Sequence, residues 1–189
     1  MRLASVLTYL WVALVVAIVA AWVANPSLLS EDTFATALRH WGPWAFTAFV
    51  IASLVRGALL VPSTPLVLAG GALFPDALAL VLLVSVAGIL VSAGLLYRFP
   101  GFAGYDSRLA ARYPDQLARL QVHLTMPRAT WFVALWAFLP VTPTDLICYA
   151  AGLVRMPFRR MITGIVVGKV PLVTIYVLAG REIGELLAI

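Results

Sequence analysis

Apolar residues run almost unbroken from Leu3 to Ala24 and give way at Asn25 and Pro26. As a helix this run is ~33 Å long, enough for a ~30 Å hydrocarbon core. It exceeds a signal-peptide core, and no small-x-small cleavage site closely follows, so it is predicted as a retained first span, 3–24. Residues 27–43, with Ser30, Glu31 and Asp32 ahead of Thr33–His40, are predicted as a short capped surface helix. A second apolar run, Trp44–Val61, contains Arg56 and stops at Pro62-Ser63-Thr64-Pro65, where neither proline can donate a backbone bond. Leu66–Phe74 follows, with Gly70-Gly71 inside it, and Ala77–Tyr97 is again long enough to span. Residues 98–130 form the polar stretch, with Arg98, Arg108, Arg112, Arg119 and Arg128. There Tyr105, Leu109, Tyr113, Leu117 and Leu120 keep an approximate helical spacing, which predicts an amphipathic helix on the inner leaflet. Trp131–Leu139 is too short to cross, Pro140-Val141-Thr142-Pro143 interrupts it, and Leu146–Val154 is short as well. The cluster Arg155, Arg159, Arg160 precedes a last span, 162–179, expected to be broken by Lys169 and Pro171.

Composition places this pattern in a membrane. Of 189 residues, 63% are hydrophobic and only 11% charged, with a mean hydropathy of +1.01, against ~25% charged in soluble domains. So few charges cannot cover that much apolar surface in water. The net charge of +5 is read as orienting the chain and meeting anionic lipid, not as nucleic-acid binding. Cys148 is the single cysteine, which excludes an intrachain disulfide, and its apolar surroundings predict a packed thiol.

Pro-x-Thr-Pro occurs at 62–65 and again at 140–143, each time between short apolar segments, the second of which reaches a glycine. Glycine- and proline-interrupted segments in corresponding places mark transporters built from repeats, although prolines also occur as simple kinks. Charge decides between two topologies. If every run crossed fully, the five arginines of 98–130 would face outward, against the positive-inside rule. If 44–74 and 131–154 are instead re-entrant hairpins entering from opposite faces, 77–97 runs inward and both basic clusters lie in the cytoplasm. The expected architecture is therefore all-α: one polytopic domain with two inverted-repeat re-entrant hairpins.

Irregular backbone at membrane depth survives only where protein or water satisfies it, so opposed hairpins would enclose a polar cavity. Ser63, Thr64, Thr142 and Thr144 supply hydroxyls there, and the helix starts after Pro65 and Pro143 could direct positive dipole ends at an anion. Arg56, Asp145 and Lys169 are the charges at depth, each needing a partner or a task. Arg56 either snorkels or holds a lipid phosphate, with Asp145 as an alternative partner. Asp145 either caps the helix that follows or carries a proton or ion pair, and Lys169 either reaches a headgroup or lines the path. His40 and His123 stand alone, without metal-ligand spacing, and no Ser/His/Asp set or second depth-placed aspartate suggests catalysis. Trp11, Trp22, Trp41, Trp44 and Trp131 fall near predicted span ends, as interfacial belts do.

The segment Arg56 … Pro62-Ser63-Thr64-Pro65 … Ala69-Gly70-Gly71-Ala72-Leu73-Phe74 resembles the first conserved block of the DedA / SNARE-associated Golgi protein superfamily, the VTT domain. Phe138-Leu139-Pro140-Val141-Thr142-Pro143-Thr144-Asp145 … Tyr149-Ala150-Ala151-Gly152-Leu153, then Gly164 … Gly168-Lys169-Val170-Pro171, resembles the second. The likeness covers about 45–180. It implies two opposed re-entrant hairpins and the flipping or scrambling of lipids, undecaprenyl phosphate and phospholipids among them, with proton dependence in some members. The substrate-binding set it implies is Arg56, Pro62, Ser63, Thr64, Pro65, Gly70, Gly71, Pro140, Thr142, Pro143, Thr144, Asp145, Tyr149, Gly152 and Lys169. Two departures stand out. Ala137 occupies a place where many relatives carry arginine, and the first hairpin has Ser63 and Thr64 where bacterial DedA proteins tend to have acids. This is nearer the SNARE-associated branch. The expected protein is a multi-pass lipid flippase or scramblase of the cell (inner) membrane. It has anionic lipids as partners, no cofactor, no metal and no enzymatic role, with proton coupling and homo-oligomerisation left open. A small-solute or ion transporter and a non-transporting membrane organiser are the alternatives.

The topology has a direct test. Arg108→Cys and Arg159→Cys, each in a Cys148→Ser background, are expected to resist an impermeant thiol reagent added to intact cells. Labelling of both from outside would overturn the hairpin topology.

Overall fold

The computed structural model describes residues 40–59, 61–124, 126–140 and 142–186, with isolated positions 17, 24, 25 and 36. The span expected at 3–24 and most of the surface helix expected at 27–43 lie outside them, as do Trp11 and Trp22. Every regular element among the described residues is helical. After a 3₁₀ turn at Gly42–Trp44 come α1 (Ala45–Val55), α2 (Ser63–Leu73), α3 (Leu78–Phe102), α4 (Tyr105–Arg112), α5 (Pro114–Leu124), α6 (Pro127–Phe138), α7 (Thr144–Leu153) and α8 (Phe158–Leu186).

Two stretches are long and apolar enough to cross a membrane, Pro75–Phe102 and Phe158–Leu186. At 1.5 Å per residue they measure about 42 and 43 Å. α1, α2, α6 and α7 have 10 to 12 residues each, or roughly 15–18 Å, about half a hydrocarbon core. Large apolar side chains face outward on these helices: Leu80, Leu83, Val91 and Leu95 on α3, Trp131, Phe132 and Leu135 on α6, Ile175 and Leu178 on α8. Small and polar residues turn inward, among them Ser53, Ser85, Ser92 and Ala137. That polarity suits lipid outside and close-packed backbones within.

Several boundaries differ from the sequence expectation. α8 is a single helix from Phe158 to Leu186 and runs straight through Lys169 and Pro171. Pro171 removes one backbone bond, a loss that membrane helices tolerate. α3 likewise continues through Pro100 to Phe102, so the polar stretch starts helical. The amphipathic segment is two helices, α4 and α5, divided at Tyr113, because Pro114 disfavours helix in the residue before it and itself starts α5.

The chain divides into two compact units, Met1–Ile89 with Leu172–Ile189, and Leu90–Pro171. In the first, α1 and α2 form a helical hairpin. The Phe46 and Phe49 rings lie 5.2 and 5.9 Å from Phe74, and Phe49, fully buried, covers Gly70. α1 meets the first half of α3, where a Cβ on Gly88 would strike the Ser53 carbonyl. α2 lies parallel to the second half of α8, with Gly180 against the Leu68 carbonyl and Gly184 against that of Ala72. In the second unit, α6 lies parallel to the first half of α8, with Gly164 against the Thr130 carbonyl and Gly168 against that of Ala134. α7 meets the second half of α3, where Gly152 sits on the Tyr97 carbonyl. Each unit thus repeats one scheme. The first short helix packs on the start of the long helix that follows its pair, and the second packs on the end of the other long helix.

Gly164-x-x-x-Gly168 and Gly180-x-x-x-Gly184 are the small-residue spacing that lets helix backbones touch, where dispersion replaces the hydrophobic drive that lipid cannot supply. Gly168→Val is expected to part α6 from α8 at a cost of ~1–3 kcal/mol or more. This would appear as a lower thermal midpoint and less monodisperse protein in detergent. Gly94→Val is the control, since nothing lies within 4 Å of its Cβ position, and an equal loss there would show that backbone contact is not the cause.

Candidate functional site

In the first unit, the break between α1 and α2 is closed by Arg56. It lies in a 3₁₀ turn, Arg56–Leu59, and is only 7% exposed. Its carbonyl accepts the Val61 N–H at 3.1 Å, and its Nη1 donates to the Val61 carbonyl at 3.2 Å. Backbone and side chain together therefore hold one residue across the break. A guanidinium has five N–H donors in a rigid fork, and this turn fixes where the fork points.

Pro62 takes the N-cap position of α2 with extended ψ of 140°, and no side chain caps the helix. Proline has no hydroxyl or carboxylate to offer the first turn, so the Ser63 and Thr64 N–H groups open the helix without a side-chain acceptor. Pro65, third in the helix, has no N–H to satisfy. Gly70 and Gly71 serve packing: Gly70 lies beneath Phe49, and Gly71 against the Val177 carbonyl of α8.

The second unit builds its break differently. The Thr142 hydroxyl lies 2.5 and 3.1 Å from the carbonyls of Trp136 and Leu139, which accept its one proton between them. Trp136 Nε1 donates to the Pro143 carbonyl at 3.3 Å. These bonds satisfy carbonyls that the end of α6 leaves without helical partners. Pro140 is exposed in this turn, and Pro143 is the N-cap of α7, again with no side-chain cap. Thr144 opens α7. It is 8% exposed, and its Oγ1 has no hydrogen-bond partner among the described residues. Asp145 follows in the first turn, where the helix dipole favours an anion.

Cys148 is fully buried on α7. Lys169 is 7% exposed on α8, next to Gly168, whose Cβ would approach that of Ala137 at 2.9 Å. Ala137 itself has no exposed surface. An arginine at this place, which the resemblance led one to expect, would therefore need α6 and α8 to separate. Tyr149 packs its ring 6.3 Å from Phe99.

The expected site residues thus fall in two sets, one per unit. Arg56, Pro62, Ser63, Thr64, Pro65, Gly70 and Gly71 belong to the first. Pro140, Thr142, Pro143, Thr144, Asp145, Tyr149, Gly152 and Lys169 belong to the second. Each set combines a proline-capped helix start with a buried cation. Three buried serines, Ser53, Ser85 and Ser92, went unnoticed in the sequence. Ser85 Oγ, like Thr144 Oγ1, has no hydrogen-bond partner among the described residues. The spacing Ser85-Gly88-Ser92, at i, i+3 and i+7 within an apolar run, is the signal that marks this face.

The exposed Trp41, Trp44 and Trp131 suit an interfacial position. His123 is tied to the Arg119 carbonyl at 2.8 Å. Among the described residues, no group of three His, Cys, Asp or Glu could hold a metal.

No curated protein and no solved structure matches the chain significantly. The VTT domain matches residues 61–182, from the first helix break to near the end of the last long helix. That stretch takes in both proline-capped helix starts, α3, most of α8 and the basic segment between them, and the chain belongs to the VTT-domain family of DedA and SNARE-associated Golgi membrane proteins.

Proposed function

We propose that this membrane protein carries an anionic, phosphate-bearing lipid, a phospholipid or a polyprenyl phosphate, between the leaflets of the cell membrane. One observation carries the reading: each unit places a helix start with no side-chain cap in the same set as a nine-tenths buried cation, within an apolar exterior. Helix N-termini and cations both favour an anion, and burial strengthens that preference because little water competes. A lipid phosphate is an anion that reaches such a place with its own apolar tail.

In this reading α1–α2 and α6–α7 are re-entrant hairpins, entering from opposite faces, in an inverted repeat. Their half-core lengths and the shared packing scheme of the two units support it. Arg56 binds the phosphate, Asp145 adjusts the local charge or carries a proton, and Lys169 balances the second half. Thr144 and Ser85 lend hydroxyls to the passing headgroup, which explains why neither is spent on the protein itself.

Transport in liposomes, followed with a fluorescent lipid reporter, is the test. Arg56→Ala is expected to abolish lipid movement, and Arg56→Lys to keep part of it, since the charge stays and the fork is lost. Wild-type movement by Arg56→Ala would sink the phosphate role and leave Arg56 as the clasp of its turn. Movement of a soluble solute but no lipid would favour the solute carrier, and movement of neither a membrane organiser.

The two threonines separate function from folding. Thr142→Val leaves carbonyls unpaired and is expected to destabilise by ~1–3 kcal/mol in a chemical or thermal melt. Thr144→Val removes a hydroxyl with no partner among the described residues, so it should melt no lower than wild type yet transport more slowly. Unchanged transport by Thr144→Val would remove Thr144 from the path.

A further inference from the structure

The second unit carries a groove that none of the site residues lines. It encloses about 430 Å³ between α6 and the start of α8, within the ~300–1,000 Å³ usual for ligand clefts. α6 contributes Pro127, Thr130, Trp131 and Ala134, and α8 contributes Arg159, Arg160, Thr163 and Val167. On α8, positions 159, 163 and 167 lie four apart and form one stripe, about 12 Å long at 1.5 Å per residue. On α6, positions 127, 130, 131 and 134 form the matching stripe. The two stripes lie side by side because Gly164 and Gly168 bring α8 onto the Thr130 and Ala134 carbonyls in parallel register.

Polarity changes along this groove in one direction. Its beginning holds two guanidinium groups and the Thr130 and Thr163 hydroxyls. Its far end holds Ala134 and Val167, and Trp131, 69% exposed, stands at its side. Among the described residues neither Arg159 nor Arg160 has a salt-bridge partner, whereas Arg181 is paired with Glu185 at 2.7 Å. Two unneutralised arginines above an apolar channel on a membrane helix complement a molecule with an anionic head and a hydrocarbon tail.

We infer that this groove binds an anionic phospholipid of the adjoining leaflet, with its phosphate on Arg159 and Arg160 and an acyl chain along Trp131, Ala134 and Val167. None of the residues proposed for transport lines this groove, and the inference does not rest on that reading. It would hold a resident lipid against the contact between α6 and α8.

The test counts lipid adducts by native mass spectrometry, on protein reconstituted in equimolar phosphatidylcholine and phosphatidylglycerol. Wild type is expected to retain phosphatidylglycerol preferentially. Arg159→Gln with Arg160→Gln should lower those adducts about tenfold, and the paired lysine variant should keep most of them. The glutamine pair is expected to lower the adducts in an Arg56→Ala background as well, which separates this site from the one proposed for transport. Equal retention of the two lipids by wild type, or unchanged adducts in the glutamine variant, overturns the inference. So does no further loss of adducts when the glutamine pair is placed in Arg56→Ala, or full displacement by glycerol phosphate, which has no acyl chain. Should the glutamine variant aggregate, brominated lipids decide on intact arginines. Brominated phosphatidylglycerol is then expected to quench a share of the tryptophan emission that Trp131→Phe removes. Equal quenching by brominated phosphatidylcholine, or a share unaffected by Trp131→Phe, refutes it.

Discussion

Direct contact between helix backbones is the interaction on which the rest of this structure depends. Lipid tails are as apolar as leucine, so in a bilayer helices gain little from burying leucines against each other. What remains is dispersion at close range, and that needs residues without bulk. Gly88, Gly152, Gly164, Gly168, Gly180 and Gly184 each face a carbonyl of a neighbouring helix, at distances where no Cβ fits. Through these six positions α1, α2, α6 and α7 are each fastened to a half of a long helix.

That fastening permits the helix breaks. A chain that stops and restarts at Pro62 or Pro143 exposes backbone groups that hydrocarbon cannot satisfy. The two breaks meet this demand by different means. Arg56 clasps Val61 with main chain and side chain together, while Thr142 and Trp136 bond the carbonyls at the end of α6 and at Pro143. In both, the donors at the next helix start keep no side-chain cap, since the cap residue is proline. Uncapped helix ends beside buried cations need neighbouring helices to hold them in place, and the glycine contacts bring those neighbours close.

Charge is distributed unequally between the units. Arg98, Arg108, Arg112, Arg119, Arg128, Arg155, Arg159 and Arg160 all belong to the second. Arg155 adopts a φ of 56° at the end of α7, a conformation that favours glycine. It lies within a C-terminal cap in which Arg155 and Met156 N–H groups bond the Gly152 and Ala151 carbonyls. The Tyr97 hydroxyl donates to the Met156 carbonyl, and Gln121 donates to that of Val154 at 3.2 Å. The basic end of this unit is thus a knotted set of turns that aims several arginines outward, which suits an anionic leaflet surface.

Much of this was legible along the chain. Apolar runs announced spans at 77–97 and 162–179, which lie inside Pro75–Phe102 and Phe158–Leu186, because membrane thickness imposes a length that sequence must obey. The repeated Pro-x-Thr-Pro marked both helix breaks, because a residue without an N–H acts on its own neighbours. Composition placed the protein in lipid, and the two motif blocks identified its family. Other features were decided by tertiary contact alone. Pro171 does not break α8, which continues through it from Phe158 to Leu186. Gly70 and Gly71 meet Phe49 and the Val177 carbonyl, and Thr142 closes its own turn, contacts that no local motif encodes. The pairing of each short helix with a particular half of α3 or α8 joins residues far apart in the chain, and no local pattern encodes which carbonyl a glycine will meet. Spacing and composition act over a few residues and so can be read in order, whereas partner choice is a property of the packed whole.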